Sequence, residues 1–151
     1  MNNPNQAPAQ QGNGQTTAVT ERRVNPKVEL LKSVLHAPSI QEQFANVLKD
    51  HKDAFVTSII DLYNSDSQLQ ACNPNQVVAE ALKAATMNLP INRALGFAYI
   101  VVFNNSVKQP DGTWVKVPTP TFVPGYKGYI QLAMRTGQYR TINADLVYEG
   151  E

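Results

Sequence analysis

Hydrophobic residues recur at helical spacing through the first half of the chain. After Pro26, and again around residues 40–49, 55–63 and 77–85, apolar side chains return every three or four positions, as on the buried face of an amphipathic helix. Pro38 should end the first helix near residue 36, because the residue before a proline avoids the helical region. The pattern therefore predicts three or four helices between residues 27 and 88.

Polar residues beside prolines mark two helix starts. Ser39, followed three residues later by Glu42, predicts a capping box for a helix that ends near residue 49. Asn73 before Pro74 predicts a second start, since asparagine is a favoured N-cap and proline a favoured first helical residue.

The pattern changes after residue 94. Residues 95–103 are apolar on both faces and rich in aromatic and β-branched side chains, which predicts a central strand. Residues 115–123 should return antiparallel after a turn at residues 109–112. Because prolines cannot donate hydrogen bonds to a ladder, this second strand should be an edge or irregular; they are Pro118, Pro120 and Pro124.

A glycine-flanked segment, residues 125–137, places Lys127, Gln131 and Arg135 four residues apart. If the segment is helical, these side chains form one polar stripe. The remaining apolar side chains are then offered for burial, namely Tyr126, Tyr129, Ile130, Ala133 and Met134. The sequence thus predicts an amphipathic helix with a cationic outer face suited to a phosphate backbone.

A strand at residues 139–148 should follow this helix, which closes near Gly137. The predicted fold class is α+β, with N-terminal helices followed by an antiparallel β-β-α-β core. Residues 1–26 are rich in Asn, Gln and Pro and predict a disordered tail. The predicted divisions are this tail, a helical region at 27–88 and a core at 89–151.

The 42% hydrophobic content fits one ordinary globular domain, and no apolar run is long enough to span a bilayer. We expect a cytoplasmic protein without a membrane partner. Cys72 is the single cysteine and the two histidines are isolated, so we expect no disulfide and no metal site.

The net charge of +1 hides an uneven distribution of charge. Residues 27–80 carry four basic and seven acidic side chains, whereas residues 81–144 carry seven basic side chains and one acid, Asp111. Such asymmetry points to a polyanionic partner, although a solvated face beside an acidic counterpart is the alternative.

Cations and aromatic residues alternate in the second half of the chain, a combination typical of single-stranded nucleic-acid binding. The turn at residues 125–128 could instead bind phosphate in an enzyme, or could need glycine only for its backbone angles. The P-loop pattern is absent from the sequence, and no nucleophile lies beside a candidate base. Asp145 and Glu149 are more typical of surface charges than of a metal site.

Four blocks of the sequence resemble the RecT-type phage and prophage recombinases, which anneal single-stranded DNA. The blocks are residues 84–91 (AATMNLPI), 95–101 (LGFAYIV), 125–133 (GYKGYIQLA) with Arg135 and Gly137, and 148–150 (YEG). This chain departs from the family in having Val102 where proline is common and a long hairpin at residues 107–113. The family also continues beyond the last block, so we expect this chain to be an N-terminal part of the family's length.

The resemblance implies an ATP-independent protein that is not an enzyme and needs no cofactor. It implies binding to single-stranded DNA and to the annealed duplex intermediate, assembly into a homo-oligomeric ring or helical filament, and a partner exonuclease. The helical region would then supply oligomer contacts and one wall of a DNA groove. The residues it places in that groove are Lys127, Gln131 and Arg135, with Tyr126, Arg93, Arg140 and Lys83 as weaker candidates. The alternatives are the phosphate-handling enzyme and a purely structural oligomerisation module.

Overall fold

The computed structural model describes residues 25–143, which form four helices, a β-hairpin and a fifth helix. The elements are α1 (Pro26–Leu35), α2 (Pro38–Leu48), α3 (Lys52–Ser65), α4 (Pro74–Thr86), β1 (Ala98–Lys108), β2 (Trp114–Pro124) and α5 (Tyr126–Arg135). Helices and an antiparallel pair of strands occupy separate parts of the chain, which confirms the α+β class.

Asparagine side chains start two of the helices. The Asn25 side chain accepts a hydrogen bond from the Lys27 amide at 3.1 Å, and Asn73 accepts one from the Asn75 amide at 2.9 Å. The predicted cap at Asn73 is confirmed. Asn25 and Pro26, the last residues assigned to the predicted tail, form the start of α1. The rest of that tail lies outside the described residues.

The predicted capping box at the start of α2 is wrong. The helix begins at Pro38, so Ser39 lies inside the first turn, and Ala37 occupies the N-cap position without a side-chain hydrogen bond. Proline at the first position sets the start of the helix, because its fixed φ suits the first turn.

The first four helices bury a continuous apolar core. The stripe predicted for α3 is buried in full: Phe55, Ile59, Leu62 and Tyr63. The face predicted for α4 is confirmed as well, with Leu82 only partly buried and the others buried: Val77, Val78, Ala81 and Ala85. Helical periodicity therefore identified the core side of these elements.

The hairpin pairs β1 with β2 over their whole length, with Ala98 opposite Pro124 and Lys108 opposite Trp114. The two predicted strands and the turn between them are confirmed, but β1 is not a central strand within residues 25–143, where it pairs only with β2. The first residues predicted for it form a loop, because Gly96 adopts a φ of +74°. Full burial also stops early in β1, since no residue after Ile100 is fully buried and Val102 is only partly buried.

The outer edge of β2 is closed by proline and by one carboxylate. Alternate residues of an antiparallel strand turn their amides away from the partner strand, and Pro118, Pro120 and Pro124 all fall at such positions of β2. Phe122 falls there too, and its amide donates to the Glu80 carboxylate at 2.9 Å. The predicted edge character of β2 thus follows from the phase of its prolines.

Residues 139–143 follow α5 and contain no strand. The rest of the predicted strand at residues 139–148, and the acidic pair Asp145 and Glu149, lie outside the described residues. No helix within residues 25–143 combines the length and the apolar character required to cross a bilayer.

Candidate nucleic-acid interface

Two glycines let α5 pack directly on the loop that precedes β1. A Cβ atom at Gly128 would lie 2.2 Å from the carbonyl oxygen of Phe97, and one at Gly125 would lie 2.3 Å from the carbonyl oxygen of Gly96. Neither distance is possible for a real side chain, so only glycine permits this approach. The contact fixes which side of α5 faces the body of the protein.

The orientation predicted for α5 is wrong. Gly128 is buried and Leu132, one turn later, is partly buried against the core, whereas the Tyr126 and Tyr129 side chains are 70% and 60% exposed. Ile130 and Met134 are exposed as well. Periodicity located the stripes correctly but assigned the apolar one to the core, because it gave no weight to the backbone contact at Gly128.

Arg135 closes the C-terminal end of α4. Its Nη1 donates to the Met87 carbonyl at 2.6 Å and its Nη2 to the Asn88 carbonyl at 2.9 Å. Carbonyl groups at a helix end carry partial negative charge, which a guanidinium neutralises well. Arg135 therefore joins α5 to α4, in addition to any contact it makes with a ligand.

The α4 end that Arg135 contacts has a shape the sequence analysis missed. Asn88 adopts a φ of +49°, its amide donates to the Ala85 carbonyl, and the Leu89 amide donates to the Ala84 carbonyl. This is a Schellman ending with asparagine in the usual glycine position. The signal in the sequence was asparagine followed by a buried leucine just after a helical pattern.

Gln131 and Arg135 line a cleft of about 350 Å³ between α5 and the helices. The other lining residues come from the end of α2 and the following turn, from α3 and from the loop after α4; they are Leu48, His51, Ala54, Phe55, Ser58, Asn88, Leu89 and Pro90. The Oε1 atom of Gln131 is buried and has no hydrogen-bond partner among the described residues.

Lys127 stands at the start of the same stripe and is exposed. Its Nζ lies 6.0 Å from the centre of the Tyr126 ring, at the outer limit of a cation–π contact. Among the described residues, Lys127 makes no ion pair, so its charge is offered to solvent or to an anionic ligand.

Arg93 pairs with Asp66, whose side chain is 13% exposed. Burial disfavours the ionised carboxyl, but the Arg93 hydrogen bond and the amides of Gln68 and Leu69 outweigh it and lower the pKa of Asp66. Arg93 lines a second cavity of about 270 Å³, which shares Ser58 with the cleft beside α5. The predicted DNA contact at Arg93 therefore lies next to the cleft, and Arg93 is already paired with a carboxylate within the fold.

The last two predicted residues lie apart from the cleft lining. Lys83 is exposed on α4 as expected, and its Nζ lies 2.6 Å from the Glu80 carboxylate. Arg140 is exposed in the segment after α5. Of the seven predicted residues, Gln131 and Arg135 lie together in the cleft. Lys127 and Tyr126 lie at the start of α5, and Arg93 lies beside the cleft.

Other groups of the protein already contact the glycine turn at residues 125–128. The Gly125 amide donates to the Phe97 carbonyl at 2.9 Å, and the buried face of Gly128 rests on the same carbonyl. These contacts favour the structural explanation of the glycines over a phosphate-binding turn.

Comparison with known proteins gives two relatives and one family. The chain is 41% identical over 121 residues to "Uncharacterized protein YqaK" of Bacillus subtilis (strain 168), covering 80% of this chain and 38% of that protein. It is 28% identical over 123 residues to "Protein RecT" of Escherichia coli (strain K12), covering 79% of this chain and 43% of that protein. The chain thus spans about two fifths of the length of these curated relatives.

The sequence model of the RecT family matches residues 53–151. The match covers α3 from its second residue, α4, the hairpin and α5. It includes all seven predicted DNA-binding residues and the cleft lining except Leu48 and His51. The chain belongs to the RecT family.

Proposed function

We propose that this protein binds single-stranded DNA and promotes its annealing to a complementary strand in homologous recombination, without ATP hydrolysis. Membership of the RecT family carries the proposal, since the family model matches the whole of the hairpin and α5. In such a reaction base pairing supplies sequence recognition, so the protein needs only backbone charge, shape and stacking.

The cleft beside α5 supports this proposal. It is lined along one side by Gln131 and the Arg135 guanidinium, with Lys127 exposed two turns before Arg135. Hydrogen-bonding and cationic groups at successive turns suit a strand that runs along the helix. We assign Lys127, Gln131 and Arg135 to the main contact, with Tyr126, Arg93, Arg140 and Lys83 at its margins.

The protein would work as a homo-oligomer, a ring or a helical filament, that holds the strand with its bases accessible and retains the annealed duplex intermediate. A partner exonuclease would expose the strand. The exposed apolar surface of α5 and the hairpin is suited to contacts between copies, because contiguous apolar patches on a folded protein usually mark interaction sites.

Lys127→Ala tests the DNA contact most cleanly. Lys127 has an exposed charge without an ion pair in the described structure, so its removal leaves the fold intact, whereas Arg135→Ala would also free two carbonyls at the end of α4. Binding to a labelled single-stranded oligonucleotide, followed by anisotropy across a salt series, should show a salt slope lower by about one. The matched control is Lys27→Ala on α1, which should keep the parent slope.

Annealing is followed with two complementary labelled strands, with and without ATP and magnesium. The expected result is accelerated pairing that nucleotide does not change. Nucleotide turnover by the purified chain would instead support the phosphate-handling enzyme. Salt-insensitive assembly with no affinity for oligonucleotides would support the structural module.

A further inference from the structure

The distal half of the hairpin extends away from the helices. Ala98 and Ile100 at the base of β1 are buried, whereas residues 103–108 of β1 and 114–117 of β2 are exposed. The largest exposed side chain there is Trp114, at 67%. A tryptophan this open to water leaves most of its apolar surface unburied, which is costly unless the surface is used in binding.

The strand register gives the distal hairpin two different faces. Lys108 lies opposite Trp114, and Ser106 lies opposite Lys116 two positions further along, so these four side chains share one face. Val107 and Val115 form the next pair and point to the other face, which also holds Phe103. One face of the hairpin is therefore aromatic and cationic, and the other is apolar and uncharged.

The Lys108–Trp114 pair is of the close type. The Gln109 amide donates to the Thr113 carbonyl at 2.8 Å, and the Gly125 amide donates to the Phe97 carbonyl at the other end of the hairpin. Odd-numbered residues thus form the hydrogen-bonded pairs, and Lys108 with Trp114 forms a non-hydrogen-bonded pair, in which Cα atoms are only about 4.5 Å apart. The backbone therefore places the Lys108 and Trp114 side chains in neighbouring positions on the same face.

Asp111, the acid in the hairpin turn, forms its hydrogen bonds within the turn. The Asp111 carboxylate accepts hydrogen bonds from the Thr113 amide at 2.9 Å and from the Thr113 hydroxyl at 2.7 Å. Neither Lys108 nor Lys116 forms an ion pair among the described residues. The face with Trp114 therefore presents an aromatic ring with one unpaired lysine across the ladder and another two positions along the same strand.

We propose that Trp114, flanked by Lys108 and Lys116, is a base-stacking site for single-stranded nucleic acid, separate from the cleft beside α5. The inference rests on the proposed single-strand binding and adds a second point of contact on the hairpin. An indole accepts the face of any base, and the two lysines attract the phosphates on either side of that base. A protein partner would fit the uncharged face around Phe103 better, because interface cores are depleted in lysine.

Trp114 is the only tryptophan of the chain, so its emission reports on this site alone. The full chain is titrated with oligothymidylate of about 20 nucleotides while intrinsic emission and the anisotropy of a labelled oligonucleotide are followed in parallel. Stacking should quench the emission and saturate at the same DNA ratio as the anisotropy.

Three variants complete the experiment. Trp114→Ala should weaken binding about 5- to 150-fold, the range expected for the loss of one stacked base, and Trp114→Phe should recover part of that loss. Lys108→Ala and Lys116→Ala together should lower the salt slope by about 1.4, at about 0.7 for each contact to a single strand. Gln109→Ala in the hairpin turn removes an exposed, uncharged side chain, so it is the matched control and should bind like the parent chain.

Each other outcome overturns the proposal. If anisotropy shows binding while the emission stays constant and Trp114→Ala binds like the parent, the stacking site is wrong and the proposed function stands. If no binding is detected by either signal, both fail. A third outcome is that the emission changes with protein concentration and Trp114→Ala lowers self-association without changing DNA affinity. The hairpin face around Trp114 is then a contact between copies of the chain.

Discussion

The helical body (residues 26–91) and the hairpin–α5 unit (residues 95–135) differ in how far their apolar side chains are buried. In residues 26–91 the large apolar side chains are buried or partly buried, with Leu30, Val47 and Met87 as the exposed exceptions. In residues 95–135 only Ala98 and Ile100 join the fully buried core, while Phe103, Trp114 and several tyrosines and valines are exposed.

This difference indicates that the helical body stabilises the fold, whereas the hairpin–α5 unit presents a binding surface. A closed core stabilises the fold without further contacts, whereas exposed aromatic and aliphatic side chains beside cations mark a surface that binds something else. We therefore expect substitutions in the body to change stability, and substitutions in the hairpin–α5 unit to change binding, except where the unit touches the body.

Gly128→Ala should have the largest effect, because it targets the point where the two regions meet. The new Cβ would lie 2.2 Å from the Phe97 carbonyl oxygen, so α5 must move away from the loop. We expect a loss of about 4 kcal/mol or more in the free energy of unfolding, measured by urea denaturation.

The control for Gly128→Ala is Gly112→Ala at the hairpin turn. No atom lies within 4 Å of the added Cβ there, and only the φ of +87° opposes it. The cost should be about 1 kcal/mol. Equal losses for the two variants would contradict the close approach of α5.

Ile59→Ala should cost about 3 kcal/mol, since it deletes three carbons from a fully buried site. Phe103→Ala removes a larger side chain from an exposed site and should change the free energy of unfolding by less than about 0.5 kcal/mol. Thermal and urea unfolding of both variants compare the two regions directly. A similar loss for Phe103→Ala would mean that its ring is buried against another surface in solution.

Glu80→Ala should cost about 1–2 kcal/mol, because it leaves the Phe122 amide at the β2 edge without its acceptor. Lys83→Ala is the matched control. It removes only the ion pair on the exposed side of the same carboxylate and should cost at most about 0.5 kcal/mol. If both variants lose the same stability, the carboxylate acts through Lys83 and does not hold the strand.

Asp66 should give the smallest effect, and one that depends on pH. Its pKa in the folded state lies below the ordinary value of 3.8, so the unfolded chain takes up the proton first as the solution is acidified. The stabilisation is complete above pH 3.8 and is lost as the pH falls through the lower folded pKa. Urea unfolding at several pH values should show this acid loss in the parent and a smaller one in Asp66→Asn.

Local signals accounted for most of the secondary structure. Asn73 with Pro74, and Pro38 after the first helix, act within a few residues, and the structure shows their effects where the sequence placed them. The turn at residues 109–113 similarly set the register of the hairpin. The error at Ser39 has the same local origin, because two start signals competed there and proline determined the boundary.

The sequence suggested which residues belong to the candidate site, but it did not predict how they are arranged in space. The sequence identified the stripe of Lys127, Gln131 and Arg135, yet their surroundings come from distant segments: Arg135 binds carbonyls 47 and 48 residues away. Arg93 pairs with an acid 27 residues away, which no local pattern indicates. Trp114 was missed as a candidate because the face it occupies follows from the strand register.

The amino-acid sequence by itself determined where the helices begin, which stripes are apolar, which strand edge is closed by proline and which family the chain resembles. These features depend on backbone preferences and short-range periodicity, which act over a few residues. The tertiary structure alone decided which stripe of α5 faces the body and which charges remain uncompensated. Those outcomes depend on the contact of Gly128 with the Phe97 carbonyl and on ion pairs between distant residues, and only the packed chain brings these groups together.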